Sequence, residues 1–260
     1  VIVTSSDATH PDMVRRLGWD LEGHDVEIIV APSLANIAGP RVHIRPVAGL
    51  PLLHVEKPAY RGGARWAKGT LDRVGALALL LVGSPIFVAV AIAIKVSSPG
   101  GVFFVQERVG RDGETFGMIK FRTMVTGADA MLEELRPDTG NVMMFKMRDD
   151  PRVTSIGKHL RRFSLDELPQ LVNVIKGDMS LVGPRPPLVS EVSVYAADAR
   201  RRLLVRPGIT GPWQISGRSD LNWEETMRLD LYYVENWSIV GDLLILWKTL
   251  RAVVSSAGAY

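Results

Sequence analysis

Residues 74–94 read VGALALLLVGSPIFVAVAIAI, a run without a single charged side chain. As a helix it would measure roughly 30 Å, the thickness of a bilayer's hydrocarbon core. The simplest reading is a transmembrane helix. Two features argue against it. Gly83, Ser84 and Pro85 sit at the midpoint, where proline removes a helical hydrogen bond and bends the chain. Basic residues also flank both ends: Arg61, Arg65, Lys68 and Arg73 before, Lys95, Arg108 and Arg111 after. Positive charge favours the cytoplasmic side, so a spanning helix would violate that bias at one end. A re-entrant helix over residues 71–96, broken at Ser84 and Pro85, satisfies both flanks.

Upstream, VIVTSS (residues 1–6) and VEIIVAP (26–32) are β-branched runs, and RVHIRPV and LLHVE are further short strands. Between the first two, DMVRRLGWDLE has helical spacing. Residues 1–56 thus read as a piece of an α/β unit. They lack a G-x-G-x-x-G loop, so nucleotide binding is not supported there. The chain opens at Val1, inside an expected strand, which points to a fragment with its upstream part missing. Residues 57–70 are basic and Gly-rich and read as a linker reaching a membrane surface. Residues 97–260 form the soluble remainder: short strands and turns, then helices at ADAMLEELR, SLDELPQLVNVIKG, NWEETMRLDLYYVENW and IVGDLLILWKTLRAVV. The last carries Trp247, Lys248 and Arg251, which suit either the membrane interface or packing on the core. The fold class is α/β, with an α+β domain after the apolar helix.

Composition narrows the function. The 260 residues hold 31 Lys+Arg against 28 Asp+Glu, a net charge of +3. No basic run alternates with aromatics, which argues against nucleic acid. With no cysteine, disulfides, thiolate zinc sites and a cysteine nucleophile are excluded. A P-loop is missing as well.

Residues 161–187, RRFSLDELPQLVNVIKGDMSLVGPRPP, place Asp166 beside Glu167 among basic residues. Ser164 followed by Glu167 is a capping-box pattern, and acids in a first helical turn are favoured by the helix dipole. That alone would explain the pair. The same position would also keep Asp166 ionised, as a carboxylate nucleophile requires, and Glu167 offers a hard oxygen ligand for magnesium. A phosphate held there needs cations, and Lys120, Arg122, Arg161, Arg162, Arg185 and Arg218 are candidates.

The ordered segments KFRTM, DPRVTSIGKHLRRFSLDELPQLVNVIKGDMSLVGPRP, RPGITGPWQISGR and LDLYYVENWS resemble the bacterial sugar transferase family. These are the monotopic polyprenyl-phosphate phosphoglycosyl transferases that begin exopolysaccharide, capsule and O-antigen assembly. The resemblance covers roughly residues 68–260. The Ser84-Pro85 step matches the family's helix break, and residues 1–56 resemble the end of the Rossmann-like module of larger members. The resemblance implies a two-step reaction. Asp166 attacks a UDP-sugar, releases UMP and holds the sugar phosphate, and a polyprenyl phosphate then takes it. Glu167, with Asp166, would hold Mg²⁺. Lys120, Arg161 and Arg185 would line the phosphates, and Asp230 matches a further acid of the family's site. Location at the cytoplasmic face of the bacterial inner membrane follows, in contact with one leaflet of the bilayer. A homo-oligomer is left open.

Each residue has a plainer reading. Lys120 and Arg122 can be strand-edge charges, Arg161 can pair with the acids of the next turn, and Asp230 can bridge to a core arginine. Gln214 and Arg218 in WQISGR are candidate uridine or phosphate contacts. Two other functions compete. A plain nucleotide-sugar glycosyltransferase would release UDP and commonly carries Asp-x-Asp, which is missing from this sequence. A membrane scaffold would release no nucleotide.

Overall fold

A computed structural model describes residues 2–4, 29–31, 42–47, 50–55, 63–128, 130–131, 150–196, 198–216 and 222–255. It forms two compact units that divide between Lys57 and Pro58. In the first, β1 (Ile2–Thr4) and β2 (Ile29–Ala31) pair in parallel, with Ile2 opposite Ile29. A parallel pair demands a connection of about a dozen residues or more, and the two strands lie far enough apart in sequence to allow one. The helix expected at DMVRRLGWDLE lies outside the described residues. β3 (Val42–Val47) and β4 (Leu50–Val55) pair antiparallel, Val47 opposite Leu50.

The second unit opens with α1 (Gly63–Ser97), a continuous 35-residue helix. This corrects two expectations. Residues 63–70 are helix rather than linker, and secondary structure does not break at Ser84 and Pro85. Proline has no amide to offer Leu81, but the Ser84 hydroxyl donates to the Leu81 carbonyl at 2.8 Å, and so supplies the hydrogen bond that proline removes. One edge of α1 packs on the domain along its length. Ala76 joins Met118, Leu171, Val174, Met179, Leu181, Val182 and Tyr233 in one core cluster. Val90 and Ile94 join Phe121 and Leu160 in another, and Phe87 touches both. Close approach is possible because Gly75 has no side chain: a Cβ there would lie 2.9 Å from Leu181 Cδ1. The remaining circumference exposes Leu77, Leu79, Leu81, Val82, Ile86, Val88 and Ile92. A continuous apolar surface of this kind marks contact with lipid or another protein.

After α1, β5 (Phe103–Val109) and β6 (Thr115–Phe121) form an antiparallel hairpin, Phe103 opposite Phe121. α2 (Ser155–Arg162) is capped by Thr154, whose Oγ1 accepts from Gly157 N at 3.0 Å. A short turn leads to α3 (Gln170–Lys176). β7 (Ser180–Val182) and β8 (Gly208–Thr210) pair in parallel, with α4 (Val189–Ser193) between them. α5 (Pro212–Ile215), α6 (Trp223–Glu235) and α7 (Ile239–Ser255) follow. Of the chain expected as helix at ADAMLEELR (residues 128–136), only residues 128, 130 and 131 are described.

The second correction to the linker concerns Lys68. It is 3% exposed, not a free charge beside a membrane. Its Nζ lies 2.7 Å from Asp242 Oδ2 on α7 and 3.3 Å from Asp72 Oδ1 on α1. Asp72 in turn accepts from Ser180 Oγ at 2.7 Å and Leu181 N at 3.2 Å. Asp242 accepts from Tyr233 Oη at 2.8 Å and Trp237 Nε1 at 2.9 Å. This network ties α1, β7, α6 and α7 together.

Candidate active site

The capping box predicted at Ser164 and Glu167 does not form. Ser164 has φ 54°, in the left-handed region, and makes no side-chain cap. Pro169 cannot donate an amide to an earlier helical turn, so α3 starts only after it. Leu165–Glu167 is instead a single 3₁₀ turn. This removes the expected dipole stabilisation of Asp166. Burial, then the adjacent Glu167 charge, raise the Asp166 carboxyl above its ordinary range, while Lys120 and Arg161 pull against that rise. Asp166 is half-buried and sits among cations. Such an arrangement suits a carboxylate whose charge is neutralised during a phosphoryl transfer.

β6 brings Lys120 to this turn. Its Nζ lies 2.9 Å from Glu167 Oε1. The strand is held at the right height by Asn173 of α3, which is 1% exposed. Asn173 Oδ1 accepts from Ile119 N at 3.0 Å, and its Nδ2 donates to Gly117 O at 2.8 Å. Nδ2 also donates to Asp178 Oδ2 at 3.2 Å, a structural use of Asp178. Arg161, in the last turn of α2, donates from Nε to Thr123 Oγ1 at 3.0 Å.

Arg185 reaches the same region from the turn after β7. Glu191 holds it through Nη1, at 3.0 and 3.2 Å to its two oxygens. Arg108 on β5, read in the sequence only as a flanking charge, connects the two parts. It feels the charges of Glu167, Glu191 and Arg185 together. Nothing in its spacing announces this, because the contact depends on a hairpin meeting a distant turn.

Other candidates lie elsewhere. Arg122 follows the last residue of β6 and is turned to the loop after α1. Its guanidinium donates to Ser98 O and Ser98 Oγ, both at 3.0 Å, to Pro99 O, and to Thr126 Oγ1. Those partners make it a tether for that loop rather than a phosphate ligand. Asp230 is fully buried against Arg202. Burial outweighs the arginine's pull and pushes its carboxyl up to about 6. Arg202 also donates to the Arg185 carbonyl at 3.0 Å, so Asp230 supports the turn that carries Arg185. Gln214, on α5, donates from Nε2 to Ile209 O at 3.4 Å. Arg218 lies outside the described residues.

Magnesium prefers hard oxygen ligands, often one or two carboxylates completed by phosphate oxygens and water. Glu167 is more than one-third exposed at its side chain, and Asp166 is adjacent. That donor set fits, although among the described residues no group of three or more metal-ligating side chains is gathered.

The family model described as bacterial sugar transferase matches residues 63–256. The chain is 43% identical over 210 residues to the exopolysaccharide production protein ExoY of Rhizobium meliloti, covering 79% of this chain and 93% of that protein. It is 40% identical over 215 residues to the undecaprenyl-phosphate galactose phosphotransferase of Salmonella typhimurium, covering 80% of this chain. It is 33% identical over 255 residues to the UDP-glucose:undecaprenyl-phosphate glucose-1-phosphate transferase of Escherichia coli, covering 95% of this chain. The matched part is 45% and 53% of those two proteins, so the chain spans about half of their length.

Proposed function

This chain belongs to the bacterial sugar transferase family, and on that premise we propose that it transfers a hexose-1-phosphate from a UDP-sugar to a membrane polyprenyl phosphate. That would be the first membrane step of a surface polysaccharide. The observation that carries the reading is the turn holding Asp166 and Glu167, half-exposed and surrounded by Lys120, Arg161 and Arg108.

An Asp166 oxygen bonds to the sugar-proximal phosphorus, the bond from that phosphorus to the bridging oxygen breaks, and UMP leaves. A phosphate oxygen of the lipid then bonds to the same phosphorus. The acyl phosphate bond breaks, and Asp166 is returned as a carboxylate. Lys120, Arg161 and Arg185 hold the phosphates, since positioning and charge carry most of such a transfer. Glu167, with Asp166, would hold Mg²⁺, which when bound supplies positive charge against the diphosphate.

The reaction needs the site at headgroup level, on the cytoplasmic face of the inner membrane. Packing on α1 supports a shallow placement. The domain touches the helix from Ala76 to Ile94, a stretch of roughly 27 Å. A helix standing upright across the bilayer would carry the polar domain into hydrocarbon beside it. A helix lying obliquely within one leaflet avoids that. The parallel pair β1 and β2 is in keeping with the end of a Rossmann-like module.

The test is product identity. The chain in detergent, with UDP-galactose or UDP-glucose, Mg²⁺ and undecaprenyl phosphate, should release UMP in step with lipid-linked sugar. UDP would mean plain glycosyl transfer, and no nucleotide at all would leave a scaffold.

A further inference from the structure

We propose that Arg108 and Arg185 form a two-guanidinium clamp for one substrate phosphoryl group, with Gln106 as the positioning residue that aims Arg108. This rests on the phosphoglycosyl transfer reading and adds to it a residue on β5.

Gln106 and Arg108 are two apart on one strand, so their side chains share a face. Gln106 Oε1 accepts from Arg108 Nη2 at 2.7 Å and from Nε at 3.2 Å, which fixes the plane of the guanidinium. Nη1 donates to Pro186 O at 3.1 Å. A guanidinium has five N–H donors. Three are used here, and among the described residues the second hydrogens of Nη1 and Nη2 have no protein acceptor. A phosphoryl oxygen matches a planar pair of donors of that kind.

The turn beneath is rigid. Val109 N donates to Pro187 O at 3.0 Å, and Arg202 donates to the Arg185 carbonyl from the other side. It therefore holds two guanidiniums near one another, an arrangement opposed by their own repulsion. Burial, followed by the charge of Arg185, brings Arg108 down to about 10, so Arg108 remains cationic at neutral pH. The neighbouring carboxylates are already engaged, Glu191 by Arg185 and Glu167 by Lys120. An incoming anion is the group that relieves this excess.

Two sources share the phosphoryl chemistry: the diphosphate of the nucleotide sugar and the headgroup of the lipid. Binding of UDP, which needs no turnover, reads the first, and the KM for undecaprenyl phosphate reads the second. Arg108→Lys keeps the charge and loses the fork, while Gln106→Leu keeps Arg108 and releases it. Both should raise one of the two constants by about tenfold or more, with the melting temperature near that of the parent. A rise in the UDP constant assigns the clamp to the donor, and a rise in the lipid KM assigns it to the acceptor. Two folded variants with both constants within twofold of the parent would overturn it. A parent chain that binds UDP through Arg108 but never yields UMP from a UDP-sugar sinks the transfer reaction instead and leaves the clamp standing.

Discussion

The Ser84 hydroxyl donates at 2.8 Å to the carbonyl of Leu81, the group that Pro85 leaves without an amide partner. In water such a carbonyl would be solvated, but Leu81 and Val82 face outward on an apolar surface. If lipid covers that surface, an orphaned carbonyl costs about 1–3 kcal/mol. Ser84→Ala should therefore destabilise the chain in bilayer nanodiscs. Pro85→Ala returns an amide to Leu81, so adding Ser84→Ala to that background should cost almost nothing. A Ser84 effect of equal size in both backgrounds would separate the serine from the proline. Because the chain has no native cysteine, Arg65→Cys and Lys95→Cys can each be labelled cleanly in membrane vesicles. Both should react from the same side.

Asp166→Asn should abolish UMP release and raise the melting temperature at neutral pH. Burial and Glu167 raise the folded carboxyl, so the fold favours the protonated form. That contribution is fully present below the unfolded value of about 3.9 and is lost as pH rises through the folded value. The variant is neutral throughout, so its advantage should shrink as pH falls and vanish below that unfolded value, where the parent is protonated in both states. The same shift places the acid limb of the parent's UMP release above the ordinary aspartate range. A variant that still turns over, or one that melts lower at every pH, contradicts the assignment.

How much of this was legible in the sequence follows from what each feature depends on. The apolar run of α1 and the order KFRTM, SLDEL, GPRP are local patterns, and they marked the helix and the residues, Lys120 and Glu167, that the structure brings together. The Ser164 cap was misread because a left-handed residue and Pro169 divide what spacing alone presents as one helix. Arg122 was grouped with Lys120 as a cation for the phosphate, but the strand ends at Phe121 and its pleat no longer governs the direction of Arg122. Lys68 and Arg108 were both read as flanking positive charge. Their partners, Asp242 and the turn at Pro186, lie 174 and 78 positions away, and no periodicity carries such pairings.

Asn173 predicts a coupling between fold and rate. Its amide takes the place of a neighbouring strand along the edge of β6 and so sets the distance from Lys120 to the Asp166 turn. Asn173→Leu would leave the Gly117 carbonyl and Ile119 amide without these partners, at about 1–3 kcal/mol. Asn173→Asp keeps the acceptor for Ile119 and loses the donor to Gly117. Both should lower kcat beyond what their stability explains, measured where each variant is fully folded. Unchanged kcat in folded Asn173→Leu would confine the residue to holding the strand.

The pairing of Lys68 with Asp242 and Asp72 makes the strongest demand on stability. All three are 2–4% exposed, and breaking a buried ion pair costs about 3–5 kcal/mol because the remaining charge is left in the interior. Lys68→Met is close in size and removes only the cation. It should lower the melting temperature by roughly 10 °C, read by thermal unfolding in detergent. Replacing the two acids by asparagine in the same chain removes the uncompensated charge. The triple variant Lys68→Met, Asp72→Asn, Asp242→Asn should therefore melt above Lys68→Met alone, although each acid has other donors to satisfy. A triple variant that melts below the single one would mean that the hydrogen bonds from Ser180, Tyr233 and Trp237 to ionised carboxylates, rather than the lysine's charge, hold α1 to the domain.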